Sequence, residues 1–433
     1  MVATLTAACT SDFSGLVRGK GFATSDLDKR VERGIGWTPT NVQITCFDTI
    51  AESPYGSFGD IVLMPDISTR TDARFPSGRS MSFVLGDIFT LEGARWECCT
   101  RGILAEAIHR FELVSGLRLM ATFEHEFMLL GGVPTPGFSL SGFELNQTFG
   151  EAVFEALAGA RIHPDSFLRE YGPDQLEITV PPKPAMRAAD EAVILREVVR
   201  AVARDMGRTA TFAPLLAPDI VGNGVHIHLS LWTKDGRPVM HDPDGVGGLS
   251  QEGGAFVAGI LRHVRAITAL SAPSVVSPLR LTPHRWSAAF NNLAVQDREA
   301  AIRVCPVSAR EHEARARAYN VEFRAADAAA SPYLALASLM IAGTAGIEDR
   351  LATPHPTTED LSLLTSDSLA SQGLFRLPAS LAEALDALVG DARLCGGLPE
   401  RMPQIYAAHK RGEAVHVAKM NVVEQLRAYA QVY

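Results

Sequence analysis

The sequence predicts an α+β protein, and three observations lead there. Stretches in which polar groups alternate with apolar ones recur through the middle of the chain. Segments of helical period lie between them, and residues 1 to about 95 are dominated by short strand-like runs.

The alternating stretches are Glu124-His125-Glu126-Phe127, Gln175-Leu176-Glu177-Ile178, His226-Ile227-His228-Leu229 and Glu322-Phe323-Arg324. Residues two apart on a strand point to the same side, so each stretch presents two chemical groups together. One face of the expected sheet carries Glu124, Glu126, Gln175, Glu177, His226, His228, Glu322 and Arg324, and the other is mainly apolar and suits a core. Carboxylates gathered on one face repel each other. Bound cations are the simplest reason to gather them.

Ahead of these strands, runs at Phe13–Val17, Asp60–Met64 and Met81–Leu85 read as strands separated by Gly, Pro and Asp turns, with a short helix near Asp26–Arg33. From about Arg101 the pattern changes. Ile103, Leu104, Ala107, Ile108 and Phe111 have helical spacing, which predicts a boundary near residues 95 to 100 and domains of residues 1–97 and 98–433. Further helices are expected at Glu151–Ala160, Ala188–Met206, Gly253–Leu270 and Pro332–Ile347, the last with Ser331 as N-cap and Pro332 in the first turn. The tail from Ser380 is expected to be helical, because Ser380-Leu381-Ala382-Glu383 has the form of a capping box.

The 433 residues are too many for one ordinary core and enough for two domains. With 47% hydrophobic and 21% charged residues, the composition is that of a soluble globular protein. No apolar run approaches the ~20 residues that span a bilayer. The start Met1-Val2-Ala3-Thr4 lacks the basic residues of a secretory signal, so a cytoplasmic location without membrane contact is expected. A net charge of −9 argues against a nucleic-acid partner, since phosphate backbones select basic surfaces. The six cysteines form no CxxC pair, which indicates neither a zinc ribbon nor a disulfide scaffold.

Glu170, seven residues before Glu177, joins the alternating acids to give five carboxylates and one histidine, His226, as candidate metal ligands. Oxygen donors favour Mg²⁺ or Mn²⁺ over zinc. Five negative charges suit two divalent cations, a pair that commonly clamps the oxygens of a phosphoryl transfer, and Arg280, Arg298, Arg303 and Arg324 suit the phosphates. The phosphates are not held by a P-loop, because Gly19-Lys20 runs into Gly21 without the upstream glycine, and no GxGxxG follows a strand. Gly222-Asn223-Gly224 is either a plain turn before a strand or a place where a small ligand meets the backbone beside His226.

The order and character of these motifs resemble the glutamine synthetase superfamily over nearly the whole chain. The resemblance rests on Phe123-Glu124-His125-Glu126-Phe127, on Glu170-Tyr171-Gly172-Pro173-Asp174-Gln175-Leu176-Glu177, on Gly222-Asn223-Gly224-Val225-His226-Ile227-His228-Leu229-Ser230, on Arg298-Glu299-Ala300-Ala301-Ile302-Arg303, and on Glu322-Phe323-Arg324 followed by Ala330-Ser331-Pro332-Tyr333-Leu334. It implies an N-terminal β-grasp domain and a catalytic domain built on a curved antiparallel sheet with helices. It also implies a homo-oligomer, commonly a dodecamer of two stacked hexamers, with active sites between neighbouring subunits. The activity implied is ATP-dependent conversion of the glutamate γ-carboxylate to an acyl phosphate, which an amine nitrogen attacks to form an amide, with two or three Mg²⁺ or Mn²⁺ ions per site. By motif, Glu126, Glu170 and Glu177 would hold one metal, and Glu124, His226 and Glu322 the other. His228 and Ser230 resemble nucleotide contacts, Gly222 meets the glutamate backbone, Arg280 and Arg324 bind glutamate, and Arg298 and Arg303 steady the transferred phosphate.

The departures bear on the acceptor. Ammonia-using relatives carry an acid in a flap after Arg-Leu-x-Pro, whereas this chain reads Arg280-Leu281-Thr282-Pro283-His284-Arg285-Trp286-Ser287 and has Trp286 in its place. The aspartate loop of the N-terminal domain is also missing, its nearest counterpart being Gly34-Ile35-Gly36-Trp37-Thr38-Pro39. Indoles offer apolar area and a cation–π face to an alkylammonium. The pattern resembles the γ-glutamylpolyamine and γ-glutamylamide synthetase branch, so a ligase joining glutamate to a small organic amine is expected, with Trp286 in the acceptor pocket. Ammonia-using glutamine synthetase and a catalytically silent relative are the alternatives. Asn320 stands where many relatives have an arginine, and Arg315 or Arg317 is the expected substitute.

Overall fold

A computed structural model describes residues 4–433. The first sheet is built from β1 (Leu5–Ser11), β2 (Val17–Ala23), β3 (Ile35–Trp37), β4 (Ile61–Pro65), β5 (Thr71–Arg74) and β6 (Ser80–Thr90). Its order is β2-β1-β6-β4-β3, with β5 also on β6. β1 and β6 run parallel and the other pairs antiparallel. The helix Leu27–Arg33 packs on β4 with Leu27 buried. The expected runs at Asp60–Met64 and Met81–Leu85 fall in β4 and β6. The run Phe13–Val17 does not form a strand up to Val17: the Asp12 carboxylate accepts the backbone N–H of Ser14 and of Leu16, each at 2.9 Å, and this closes the turn between β1 and β2.

The second sheet comprises β7 (Leu117–Leu130), β8 (Ser166–Arg169), β9 (Gln175–Thr179), β10 (Lys183–Pro184), β11 (Thr209–Thr211), β12 (Val225–Thr233), β13 (Leu293–Val295), β14 (Ile302–Val304) and β15 (Val321–Phe323). Its order is β13-β14-β15-β12-β7-β9-β8, and β10 and β11 also pair with β7. All neighbours are antiparallel except β13 and β14. Along β7, Phe123, His125 and Phe127 are buried while Glu124 and Glu126 between them are only partly so, which is the alternation the sequence carries.

Helices Thr100–Ser115, Ala185–Asp205, Gln251–Ser271 and Pro332–Glu348 supply the core beneath this sheet. Two of them touch through glycine: a Cβ on Gly259 would stand 2.1 Å from the carbonyl oxygen of Ala342, and one on Gly346 2.0 Å from that of Ala255. Ser331 and Pro332 start their helix as expected, although the Ser331 hydroxyl pairs with Ser11 at 3.4 Å. The helix Leu140–Ala158 begins well before Glu151, because Ser139 caps it through the N–H of Gly142. At Ser380 half of the box forms: the hydroxyl accepts the Glu383 N–H, and the Glu383 carboxylate takes the N–H of Ala379 instead of that of Ser380.

Buried polar groups join the two sheets' surroundings. Arg101 bonds Asp66 and Asp87 at 2.7 Å each and Asp190 at 2.9 Å. In the helix Met402–Val417, the fully buried Lys410 and Glu413 pair at 2.9 Å, and the Ser14 hydroxyl donates to Glu413 at 2.6 Å. Burial works against the Glu413 charge, but Lys410 and His409 overcome it and hold the carboxyl down at about 2, against a usual 4.5. The stability this contributes is present above pH 4.5 and is lost as pH falls through about 2. Glu413→Gln is therefore expected to lower unfolding stability at neutral pH by ~3–5 kcal/mol, because Lys410 stays buried without its partner. In chemical denaturation the gap to the parent protein narrows as pH falls below 4.5.

Candidate active site

Strand register places the charged side chains opposite one another. Glu124 on β7 faces His226 on β12, Glu126 faces Glu177 on β9, and Glu322 on β15 faces both His228 on β12 and Arg303 on β14. Opposite residues in such a sheet stand close enough for their side chains to interact. They form the floor of a cavity of about 620 Å³. All the residues expected in the site line it except Ser230: the acids Glu124, Glu126, Glu170, Glu177 and Glu322, then His226, His228, Gly222, Arg280, Arg298, Arg303, Arg324 and Trp286. Ser230 lines an adjoining cavity of about 310 Å³ that shares Glu124 and His228 with the first and also holds Trp232, Arg317 and Asn320. Its hydroxyl accepts the Trp232 indole N–H at 2.9 Å.

The donor atoms of Glu124, His226 and Glu322 lie within 4.8 Å of one another, the set expected for one metal. A second group within 4.8 Å is Glu126, Glu177 and His226. Glu170, expected beside Glu126 and Glu177, lines the same cavity but turns its carboxylate to the backbone N–H of Tyr171 at 3.0 Å, and His226 completes the trio instead. Oxygen-rich donor sets with one imidazole fit Mg²⁺ or Mn²⁺.

Electrostatics bear the strain of this crowding. Burial, followed by the charges of Glu124, Glu126 and Glu170, pushes Glu177 up to about 9, and burial with Glu126 also raises Glu170. Glu124 moves the other way: burial opposes its charge, but bonds to His226 and His228 hold it far below the usual range. Glu322 is lowered against burial by His228, His226 and Arg324, and one of its oxygens accepts from Arg303 at 2.8 Å and from Arg324 at 2.5 Å. His228 Nε2 lies 3.0 Å from Glu124 and 3.1 Å from Glu322. Although burial would lower it, Cys305 and those two carboxylates raise His228 well above its ordinary value. The shift favours the imidazolium form between the two acids.

Contacts that spacing alone does not reveal complete the frame. Asn320 Oδ1 takes the other ring nitrogen of His228 at 2.8 Å, and Cys305 Sγ lies 3.6 Å from it. The residue that replaces a family arginine thus orients His228. Gln175 and the N–H of Gly224 hold Glu126 at 3.1 and 2.8 Å. Gly222 is small for the chain's own sake, since a Cβ there would stand 2.2 Å from the Pro214 carbonyl and 2.8 Å from Arg280 Cγ. Arg280 is buried, and donates to the Ala326 carbonyl at 2.6 Å and to Ser287 at 3.0 Å. Trp286 meets Tyr171 edge to face at 4.9 Å, with half of the indole exposed at the mouth. Trp37 packs against the core from β3 and does not line the cavity.

A carboxyl held up to about 9 is protonated at neutral pH and must lose its proton before it can ligate a cation. Calorimetric titration with Mn²⁺ in buffers of different ionisation heat is expected to show about one proton released at pH 7, with affinity rising toward pH 9. Glu177→Gln is expected to abolish that release.

Comparison with known proteins gives the family. The family model of the glutamine synthetase N-terminal domain matches residues 2–96 and that of the glutamine synthetase catalytic domain residues 97–428. The chain is 32% identical to the γ-glutamylpolyamine synthetase GlnA3 of Streptomyces coelicolor, over 98% of this chain and 92% of that protein. It is 30% identical to the glutamine synthetase of Methanocaldococcus jannaschii, over 90% and 85%. A crystal structure described as a novel glutamine synthase homolog superposes with a TM-score of 0.91 at 39% identity, covering 100% of this chain and 99% of that one. The ADP complex of GmaS shares the fold, with a TM-score of 0.82 at 23% identity over 97% and 95%. This chain belongs to the glutamine synthetase family of ATP-dependent, carbon–nitrogen bond-forming ligases.

Proposed function

We propose that the protein joins the γ-carboxylate of glutamate to an organic amine. The observation that carries this reading is the aromatic mouth: Trp286, braced by Tyr171, occupies the flap position where ammonia-using relatives carry an acid. The face of an indole attracts a cationic amine through its quadrupole, and its apolar area adds the burial of an alkyl chain, which ammonium does not have. The 32% identity to a γ-glutamylpolyamine synthetase supports the same reading.

In this reading Glu124, His226 and Glu322 would hold one cation and Glu126 and Glu177 the other, which Glu170 would join by turning its carboxylate from the Tyr171 N–H. The bound cations and ATP supply the electrophilic phosphoryl group and neutralise its charge. His228 and Ser230 border the nucleotide end, where the smaller cavity with Trp232 and Arg317 gives room for it. Arg280 and Arg324 receive glutamate near Gly222. Arg298 and Arg303 face the cavity and oppose the charge that develops on the transferred phosphoryl group, as fixed cations do best.

The reading keeps the division into residues 1–97 and 98–433, which the separation of the two sheets supports. It includes a homo-oligomer of stacked hexamers with sites completed by a neighbour. Large exposed apolar side chains such as Phe58 and Leu140, 81% exposed each, support extensive interfaces, and the absence of Trp37 from the cavity of its own chain fits a loop that serves the adjacent subunit. Six free cysteines without a disulfide among the described residues support a reducing, cytoplasmic setting. No helix among the described residues is long and apolar enough to cross a membrane.

Phosphate release with glutamate, ATP and Mg²⁺ across ammonia, methylamine, ethanolamine, longer alkylamines, aromatic amines and polyamines tests the acceptor. One organic amine is expected to exceed ammonia in kcat/KM by well over an order of magnitude, and Trp286→Ala to raise the KM for that amine while sparing those for ATP and glutamate. Ammonia as the equal or better acceptor contradicts the proposal.

A further inference from the structure

The flap that carries Trp286 is an irregular loop, and two of its residues, His284 and Trp286, hold positive φ angles of 64° and 53° without being glycine. Such conformations are unfavourable for L side chains and persist only where neighbouring groups enforce them. One carboxylate does so here. Glu299 accepts the backbone N–H of His284 at 2.9 Å on one oxygen and that of Trp286 at 3.2 Å on the other. Arg285, between them, also lines the cavity and donates to the carbonyls of Pro218 and Ile220 at 2.6 and 3.1 Å. The Arg324 guanidinium connects both segments, donating to the Arg298 carbonyl at 2.8 Å and to the Trp286 carbonyl at 3.1 Å.

We infer that Glu299 is a positioning residue for acceptor selectivity, a clasp that fixes the flap so that the Trp286 indole stays against Tyr171 at the mouth of the cavity. The inference rests on the reading of Trp286 as part of the amine pocket. Glu299 itself does not line that cavity, although Arg298 beside it does. Its two oxygens match two N–H groups spaced two residues apart, and charge-assisted bonds of this kind are the strong ones. Arg285, Arg324 and the His284 ring on Ser362 at 3.0 Å also hold the loop, but Glu299 is the group that takes the backbone N–H of both strained residues.

The test uses the full-length protein and its best organic amine. Loss of a charge-assisted hydrogen bond from the flap should raise the acceptor KM in Glu299→Ala by about tenfold. Glu299→Gln keeps one accepting oxygen and should fall between that variant and the parent. KM values for glutamate and ATP should stay unchanged, and the preference for the organic amine over ammonia should shrink. Acrylamide quenching, taken as the difference between each protein and its Trp286→Phe derivative, should show a more accessible indole in Glu299→Ala. Unchanged acceptor KM and unchanged quenching would overturn the inference, as would equal rises in all three KM values. If the parent protein itself prefers ammonia, the organic-amine reading fails first, and the quenching comparison alone then decides whether Glu299 clasps the flap.

Discussion

Everything at this site depends on the register between β7 and β12. Because side chains alternate along a strand, a slip of one residue would turn Glu124, Glu126, His226 and His228 into the core and bring Phe123, Phe127 and Ile227 to the cavity. Phe123, Phe127, Ile227 and Phe323 are almost wholly buried and hold the strands in phase. Burying each side chain of this kind stabilises the fold by ~1.5–3 kcal/mol, so the apolar face opposes the repulsion that builds up on the polar one. The core thus enforces a crowding of carboxylates that would disperse in a less constrained chain.

That crowding explains the state of the groups above it. Burial and the neighbouring acids push Glu177 toward its protonated form, Cys305, Glu124 and Glu322 raise His228, and Glu322 shares one oxygen with two arginines. Each is a local answer to excess negative charge. Glu322 thus stands between the candidate metal ligands on one side and Arg303 and Arg324 on the other.

Much of this was legible in the sequence because it follows from a period of two. Glu124 and Glu126, His226 and His228, and Glu322 announce a shared face by spacing alone, and the structure gathers them on one floor. The lack of an acid in the flap was equally plain at Trp286. Other features depend on how remote loops meet. Asn320 read as a loss, yet it orients His228, and Cys305 gave no pattern at all. Gly222 read as a turn or as space for a ligand; a side chain there would meet the Pro214 carbonyl and Arg280, while the residue itself lines the cavity. Glu299 enters the sequence reading only as part of the motif from Arg298 to Arg303, because nothing in its neighbours says that it will meet the backbone of His284 and Trp286. The turn after β1 was misjudged for a similar reason: Asp12 bonds to the backbone and outweighs the strand propensity of the residues that follow.

The account stands most directly on the claim that the carboxylates above β7, β9, β12 and β15 are arranged to bind divalent cations. Electron paramagnetic resonance of free Mn²⁺, titrated into the unmodified protein, measures this without reference to turnover. At least two saturable sites per chain, emptied by Mg²⁺ in competition, are expected. A protein that leaves Mn²⁺ free at every concentration, or binds it without competition from Mg²⁺, would contradict the account.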